Sequence, residues 1–280
     1  MLFIILSVLL FSYSNVLWKK NLYNASIPFL VSYRSLLTSI ISCVILFSFF
    51  KIDNITIIGF IKITVGSLFG VIGLFSMLFV IKKASLQWLG VYKLIGIIFT
   101  IAYLWLFETI DIKKSAVGLL IIALGFVGFI YSNKETQLKI TRKQHLLLLL
   151  MTFSFSCSGL LHWKNLTSST PPLLILANQE FLIFLTGILF TFRQGDSNLY
   201  KSHMKIYFKR VLLMSVVIFF ALLFNFLALK KTNPMITSLL FLAIPLTTIV
   251  FSAFFFKEKL SSKNILCICI IVMGYLLTEL

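Results

Sequence analysis

The sequence predicts an all-α integral membrane protein: ten transmembrane helices arranged as two inverted five-helix repeats. Three observations point there. Of 280 residues, 60% are hydrophobic and 12% charged, against about 45–50% and about 25% in soluble globular chains, so lipid is the solvent for most of the protein. The apolar residues fall in ten solid runs, unlike the alternating ten-residue segments of a membrane barrel. The second half repeats landmarks of the first. Spans of about 20 residues each leave only short connections. That excludes a nucleotide-hydrolysing cassette, an extramembrane binding module and a nucleic-acid protein, despite a formal charge of +17. Lys and Arg in short loops have a simpler use, setting orientation and meeting anionic headgroups.

The first run, 2–17, is apolar from its second residue and lacks a basic leader and a small-residue cleavage site, so it reads as a span rather than a signal peptide. It carries Asn15, and Trp18 closes it where an interfacial aromatic is expected. Run 29–50 follows Pro28 and carries Tyr33, Arg34 and the serines Ser32, Ser35, Ser39 and Ser42. Run 57–81 places Gly66, Gly70 and Gly73 on one face. Small residues of this kind let helices approach closely in lipid, where hydrophobic drive is weak, and the hydroxyls of span two are also available to a substrate. Run 86–106 holds Tyr92 and Lys93 and leads to Glu108, and run 115–132 carries Gly118, Gly125 and Gly128. A basic connection, 133–144, separates a first repeat, 1–132, from a second, 145–280.

The second repeat contains runs 145–162, 172–192, 210–229, 235–256 and 264–279, with Asn178 and Glu180 in span seven, Asn225 in span eight and Pro245 in span nine. Lys20-Asn21-Leu22 with Pro28 recurs 144 residues later as Lys164-Asn165-Leu166 with Pro172. Lys82-Lys83 recurs as Lys230-Lys231 at an offset of 148, and Gly125 as Gly274 at 149. Glu108 and Asp111 recur as Glu258 and Ser261 at 150, with Asp111 and Ser261 placed as N-caps. The drifting offset assigns the extra residues to the connection 193–209. Five helices per copy is an odd number, so the second copy enters the membrane from the opposite side. An inverted repeat about an axis in the membrane plane is a transporter architecture, with a midplane cavity between two rocking halves.

The stretch from Phe256-Lys257-Glu258-Lys259-Leu260 through Gly274, and the end of span three, Phe79-Val80-Ile81-Lys82-Lys83-Ala84-Ser85, resemble the paired modules of the drug/metabolite transporter superfamily, in its EamA-like branch. The resemblance covers both halves. It implies ten helices, a central cavity lined by the first four helices of each half, and movement of metabolites such as amino acids, sugars or nucleotide derivatives. It also implies that Asn15, Tyr33, Tyr92, Asn178 and Asn225 stand in spans around that cavity. Pro245 in span nine has no counterpart in span four, where Leu94, Ile95 and Gly96 stand, so whether span four bends as span nine does is left open.

A charged side chain at the centre of a span costs about 2.5–3.5 kcal/mol on the insertion scale and faces a cavity or a partner. Arg34, Lys93 and Glu180 are the candidates. Lys93 lies about eight residues, or about 12 Å, into its span, too deep to reach the headgroups, and is expected at the cavity. Arg34 stands six residues after Pro28, so both the cavity and the headgroups are open to its long stem. Glu180 is expected to pair with Arg34 or Lys93. Glu108 and Glu258 end helices where the dipole disfavours an anion, so they read as structural latches held by a Lys or by backbone N–H groups. Cys43, Cys157, Cys267 and Cys269 fall in apolar runs as packing residues, and His145, His162 and His203 are scattered near span ends. No metal and no cofactor is expected.

The leading function is a secondary transporter, working by alternating access, for a small polar or anionic metabolite: an amino acid, organic acid, sugar phosphate or nucleotide-type compound. The expected setting is the cell membrane, with the substrate and the bilayer as partners, no nucleic acid, and a monomer or homodimer. A lipid flippase or scaffold would leave Lys93 tolerant of Met. A membrane enzyme would need a catalytic cluster that Glu108 with Asp111 does not supply. With no phosphate-cradling Gly loop, facilitated movement or exchange stands beside proton-driven export. Of the Lys and Arg residues, 16 fall on odd-numbered connections and 7 on even-numbered ones. The positive-inside rule therefore predicts both termini outside the cytoplasm, whereas the resemblance implies both inside.

Overall fold

The computed structural model describes residues 2–23, 25–49, 56–108, 116–132, 140–168, 170–193, 197–231, 243–257 and 261–279. Those residues are helical apart from short turns. The helices are α1 (Leu2–Leu22), α2 (Ile27–Phe49), α3 (Ile57–Ile81), α4 (Leu86–Leu94), α5 (Gly96–Glu108) and α6 (Ala116–Ser132) in the first half. The second half holds α7 (Arg142–Thr167), α8 (Pro172–Arg193), α9 (Ser197–Lys231), α10 (Ala243–Phe256) and α11 (Ser262–Glu279). Among the described residues the apolar runs lie on helices, with α4 and α5 together forming span four; residues 235–242 of the ninth run lie outside the described residues. Six segments are long and apolar enough to cross a membrane, and shorter apolar helices accompany them. The outer faces are apolar side chains left exposed, as along α3 at Ile61, Val65, Leu68 and Ile72. This is a multi-pass integral membrane protein.

Three helices overrun their apolar runs by three or more residues: α1, which continues to Leu22, α7 and α9. α7 starts at Arg142 because Thr141 and Gln144 form a capping box, in which the Gln144 N–H donates to the Thr141 hydroxyl and Thr141's own N–H donates to the Gln144 side chain. α9 absorbs most of the connection 193–209. Tyr207 and Val211 are buried one turn apart, while Lys205, Ile206, Lys209 and Arg210 are exposed. This amphipathic turn extends the helix past the apolar stretch.

Span four is interrupted, although it lacks the proline of span nine. α4 ends at Leu94, Ile95 is a turn, and α5 starts at Gly96. Glycine is about 1 kcal/mol worse than Ala inside a helix. Two hydroxyls of α7 bind the carbonyls flanking the break: Thr152 donates to the Tyr92 carbonyl at 2.9 Å and Ser156 to that of Gly96 at 3.1 Å. Pro245 lies in the first turn of α10, and the residues before Ala243 back to 232 lie outside the described residues.

The helices of one half pack on those of the other, and the paired residues give the directions. α3 runs antiparallel to α7, with Gly66 against His162, Gly70 against Ser158 and Gly73 against Phe155. α1 runs antiparallel to α9, with Phe3 against Phe224 and the Ser7 hydroxyl donating to the Ala221 carbonyl at 3.1 Å. α6 and α11 are antiparallel, joined by Ser132 to Asn264 at 2.7 Å, and a Cβ at Gly274 would stand 2.8 Å from the Gly118 carbonyl. α2 crosses α8, where a Cβ on Gly187 would come within 2.9 Å of the Ser32 amide. α5 follows α7 in parallel, as the Thr152 and Ser156 bonds show. α1 follows α10 in parallel, with Ser12 donating to the Ile244 carbonyl at 3.2 Å and Asn15 to Thr248 at 3.0 Å.

Candidate functional site

The close approach of α2 and α8 brings Arg34 and Glu180 together as a hydrogen-bonded ion pair, each about 1% exposed. The guanidinium also lies over the Trp18 ring, 5.3 Å from its centre. The Arg34 carbonyl accepts from the hydroxyls of Thr38 and Ser215, both at 3.0 Å. Two charges this deep are tolerable only as a well-bonded pair, because each alone loses its hydration. Arg34 therefore points inward to a partner, and the headgroup alternative falls away.

Lys93 has no such partner. Glu180 is the one carboxylate among the described side chains, and Arg34 holds it. Lys93 sits in the last turn of α4, half-buried, with Nζ 6.0 Å from the centre of the Phe155 ring on α7. The helix ends there, so its carbonyl-rich terminus gives the ammonium a favourable field. The result is a cation at a helix break between the two halves, with a ring beneath it and no counter-charge among the described residues.

The other expected site residues are dispersed. Asn15 is engaged by Thr248, and Asn178 donates to Thr64 at 3.4 Å while its carbonyl oxygen has no partner. The Asn225 carbonyl oxygen is likewise without a partner. The Tyr92 hydroxyl pairs with His145 Nδ1 at 2.6 Å, within a cluster that includes Trp88 and Phe126. Tyr33 is buried with its ring against Phe29. The hydroxyls of span two serve their own helix: Ser35 donates to the Val31 carbonyl at 2.5 Å and Ser42 to that of Thr38 at 2.6 Å. Of the two latch glutamates, Glu108 is the last residue of α5 and Glu258 lies outside the described residues. The glycines Gly66, Gly70 and Gly73 face α7, where a Cβ at Gly73 would come within 2.8 Å of the Phe155 ring.

Two residues near helix ends face the protein interior rather than the headgroups. Trp18 and His162 were assigned to span ends, yet each is about 1% exposed. The signal was present in the repeat. Both stand two residues before the recurring Lys-Asn-Leu, Trp18 before Lys20 and His162 before Lys164.

No curated protein matches the chain in sequence. Among solved structures, a crystal structure described only as that of a protein is similar to this chain, with a TM-score of 0.68 over 99% of this chain and 94% of that one at 13% identity. At that identity the likeness is one of fold. Residues 142–280 match the model of the EamA-like transporter family, and the chain belongs to that family, within the drug/metabolite transporter superfamily.

Proposed function

We propose that the protein is a secondary transporter that carries a small anionic metabolite, with a carboxylate or phosphate, across the cell membrane by alternating access, and that Lys93 receives the anionic group. The observation that carries this reading is the pairing of Glu180 with Arg34, which leaves the Lys93 ammonium without an anion beside a helix break. A buried cation is costly, and an anionic substrate supplies the missing partner. Broken helices are where transporters of this architecture hold their ligands.

The reading includes two inverted repeats that rock against each other. The helix pairings support it, because they are preserved when the halves are exchanged. The α3–α7 pairing becomes α1–α9, α5–α7 becomes α1–α10, and α2–α8 and α6–α11 return to themselves. Directions are preserved too. Ser156 on α7 and Ser12 on α1, at the repeat offset of 144, each donate to a carbonyl in span four or nine of the opposite half. Arg34 and Glu180 meet close to the point where α2 crosses its own counterpart, which under this reading is the midplane axis.

Thermal-shift screening of the purified protein tests the substrate class, since a ligand that binds only the folded state raises its stability. Carboxylates and phosphates should raise the Tm of the wild type and not that of Lys93→Met. Stabilisation by neutral analogues alone, or equal shifts in both proteins, would contradict the reading.

A further inference from the structure

His162 is a titratable side chain that the anion site does not use. It lies on α7, facing the seam with α3, and is about 1% exposed. Gly66 makes room for it: a Cβ there would come within 2.9 Å of the imidazole Cε1 and 3.0 Å of Nδ1. The Phe226 ring of α9 closes another side at 5.5 Å, edge to face. Gln179 of α8 stands beside it, yet neither ring nitrogen has a hydrogen-bond partner in bonding geometry. Burying unpartnered polar atoms is costly, so the packed seam is an unfavourable place for this ring. A bare imidazolium there would be worse still, because nothing replaces its hydration.

We propose that His162 is a proton-binding site, and that taking up a proton from water at this ring opens the seam between α3 and α7, one face of the transporter. The inference rests on the rocking-halves reading, since α3 and α7 belong to different halves and their seam must part on one side. Once parted, water reaches the ring, and an imidazole in water titrates between about pH 5 and about pH 8. Protonation then holds the seam open, and loss of the proton lets it close on the neutral ring. The groups around His162 leave this proton to it alone among the described residues. Around the ring stand Gly66 of α3, Phe226 of α9 and Gln179 of α8, none of which titrates; Glu180 is turned to Arg34, and Lys62, one turn before Gly66 on α3, is exposed. On α7 itself, Lys164 lies over the Tyr103 ring.

The response belongs to one face only. At the equivalent position the α1–α9 seam carries Trp18, which does not titrate and which lies under the permanently charged Arg34. The open seam would also present a second positive charge to the substrate anion. His162 stands seven residues beyond Phe155 on α7, about 10 Å along the helix at about 1.5 Å per residue, so it lies on the same stripe that leads to Lys93.

The experiment needs no substrate. In a background with Cys43, Cys157, Cys267 and Cys269 replaced by Ser, spin labels at Lys62→Cys and Thr167→Cys, exposed residues near the facing ends of α3 and α7, report the seam width. Lowering the pH from about 7.5 to about 5.5, across the ordinary histidine range, should raise the longer-distance population several-fold in the otherwise wild-type protein and leave it unchanged with His162→Gln. A distance distribution that ignores pH, or a pH response that survives His162→Gln, would overturn the proposal. If His162→Gln does not fold, His145→Gln with His203→Gln leaves His162 as the sole histidine, and its ring is followed by NMR. Titration over that range supports the proposal and its absence overturns it. Lys93→Met is silent in both assays, so failure of the anion reading registers separately.

Discussion

The buried pair Arg34–Glu180 decides what Lys93 does, and it is testable residue by residue. Removing one member leaves the other charge buried without a partner, a loss of about 3–5 kcal/mol, whereas removing both leaves a merely apolar crossing. Glu180→Gln and Arg34→Met should each lower the Tm in detergent sharply, and Arg34→Met with Glu180→Leu should recover much of the loss. Additive damage in the double variant would show that the two do not act as a pair. Part of this was legible in the sequence, because the three charges deep within apolar runs stand out and only one is acidic. Which base takes Glu180 was not legible. It depends on how α2 is rotated, and Gly187 on α8, 155 residues from Ser32, sets that by letting the two backbones touch.

At the scale of the helix, apolar runs located the described helices but undersized α1, α7 and α9 and missed the break in span four. A run of lipid-compatible residues reports solvent, not backbone hydrogen bonding, so the polar first turns of α7 and α9 are invisible to it. The break after Leu94 is set by hydroxyls on a different helix. Thr152→Val with Ser156→Ala removes both donors to the flanking carbonyls, at about 1–3 kcal/mol for each carbonyl left bare. The pair should lower Tm more than Thr167→Val, an exposed hydroxyl near the same helix's end, and equal effects would count against a supported break. Close packing of α6 on α11 makes a second prediction. Gly274→Val would drive a side chain into the Gly118 backbone, which has no rotamer to yield, so the yield of folded protein should fall steeply. A normal yield and Tm would mean that the two helices are free to separate.

For the whole molecule, exchange of the two halves relates the helix pairings, while the charges break that symmetry. Arg34 faces Glu180, and Trp18 stands where the other half has His162. Under the proposed inverted arrangement, unlike charges in the two halves suit the molecule to hold an anion on one side of the axis. Orientation follows from the connections: with 16 basic residues on one side and 7 on the other, a reporter fused to the C-terminus should be active only when it functions outside the cytoplasm. A reporter active in the cytoplasm would restore the orientation that family resemblance implies. The central claim, that Lys93 supplies the charge that binds the substrate, is tested most directly by transport in proteoliposomes. Uptake of carboxylates and phosphates, with neutral amino acids as controls, is compared for wild type, Lys93→Arg and Lys93→Met. The account predicts anion uptake by the wild type, weakened uptake by Lys93→Arg, and none by a folded, inserted Lys93→Met; an unchanged anion rate in Lys93→Met would contradict it.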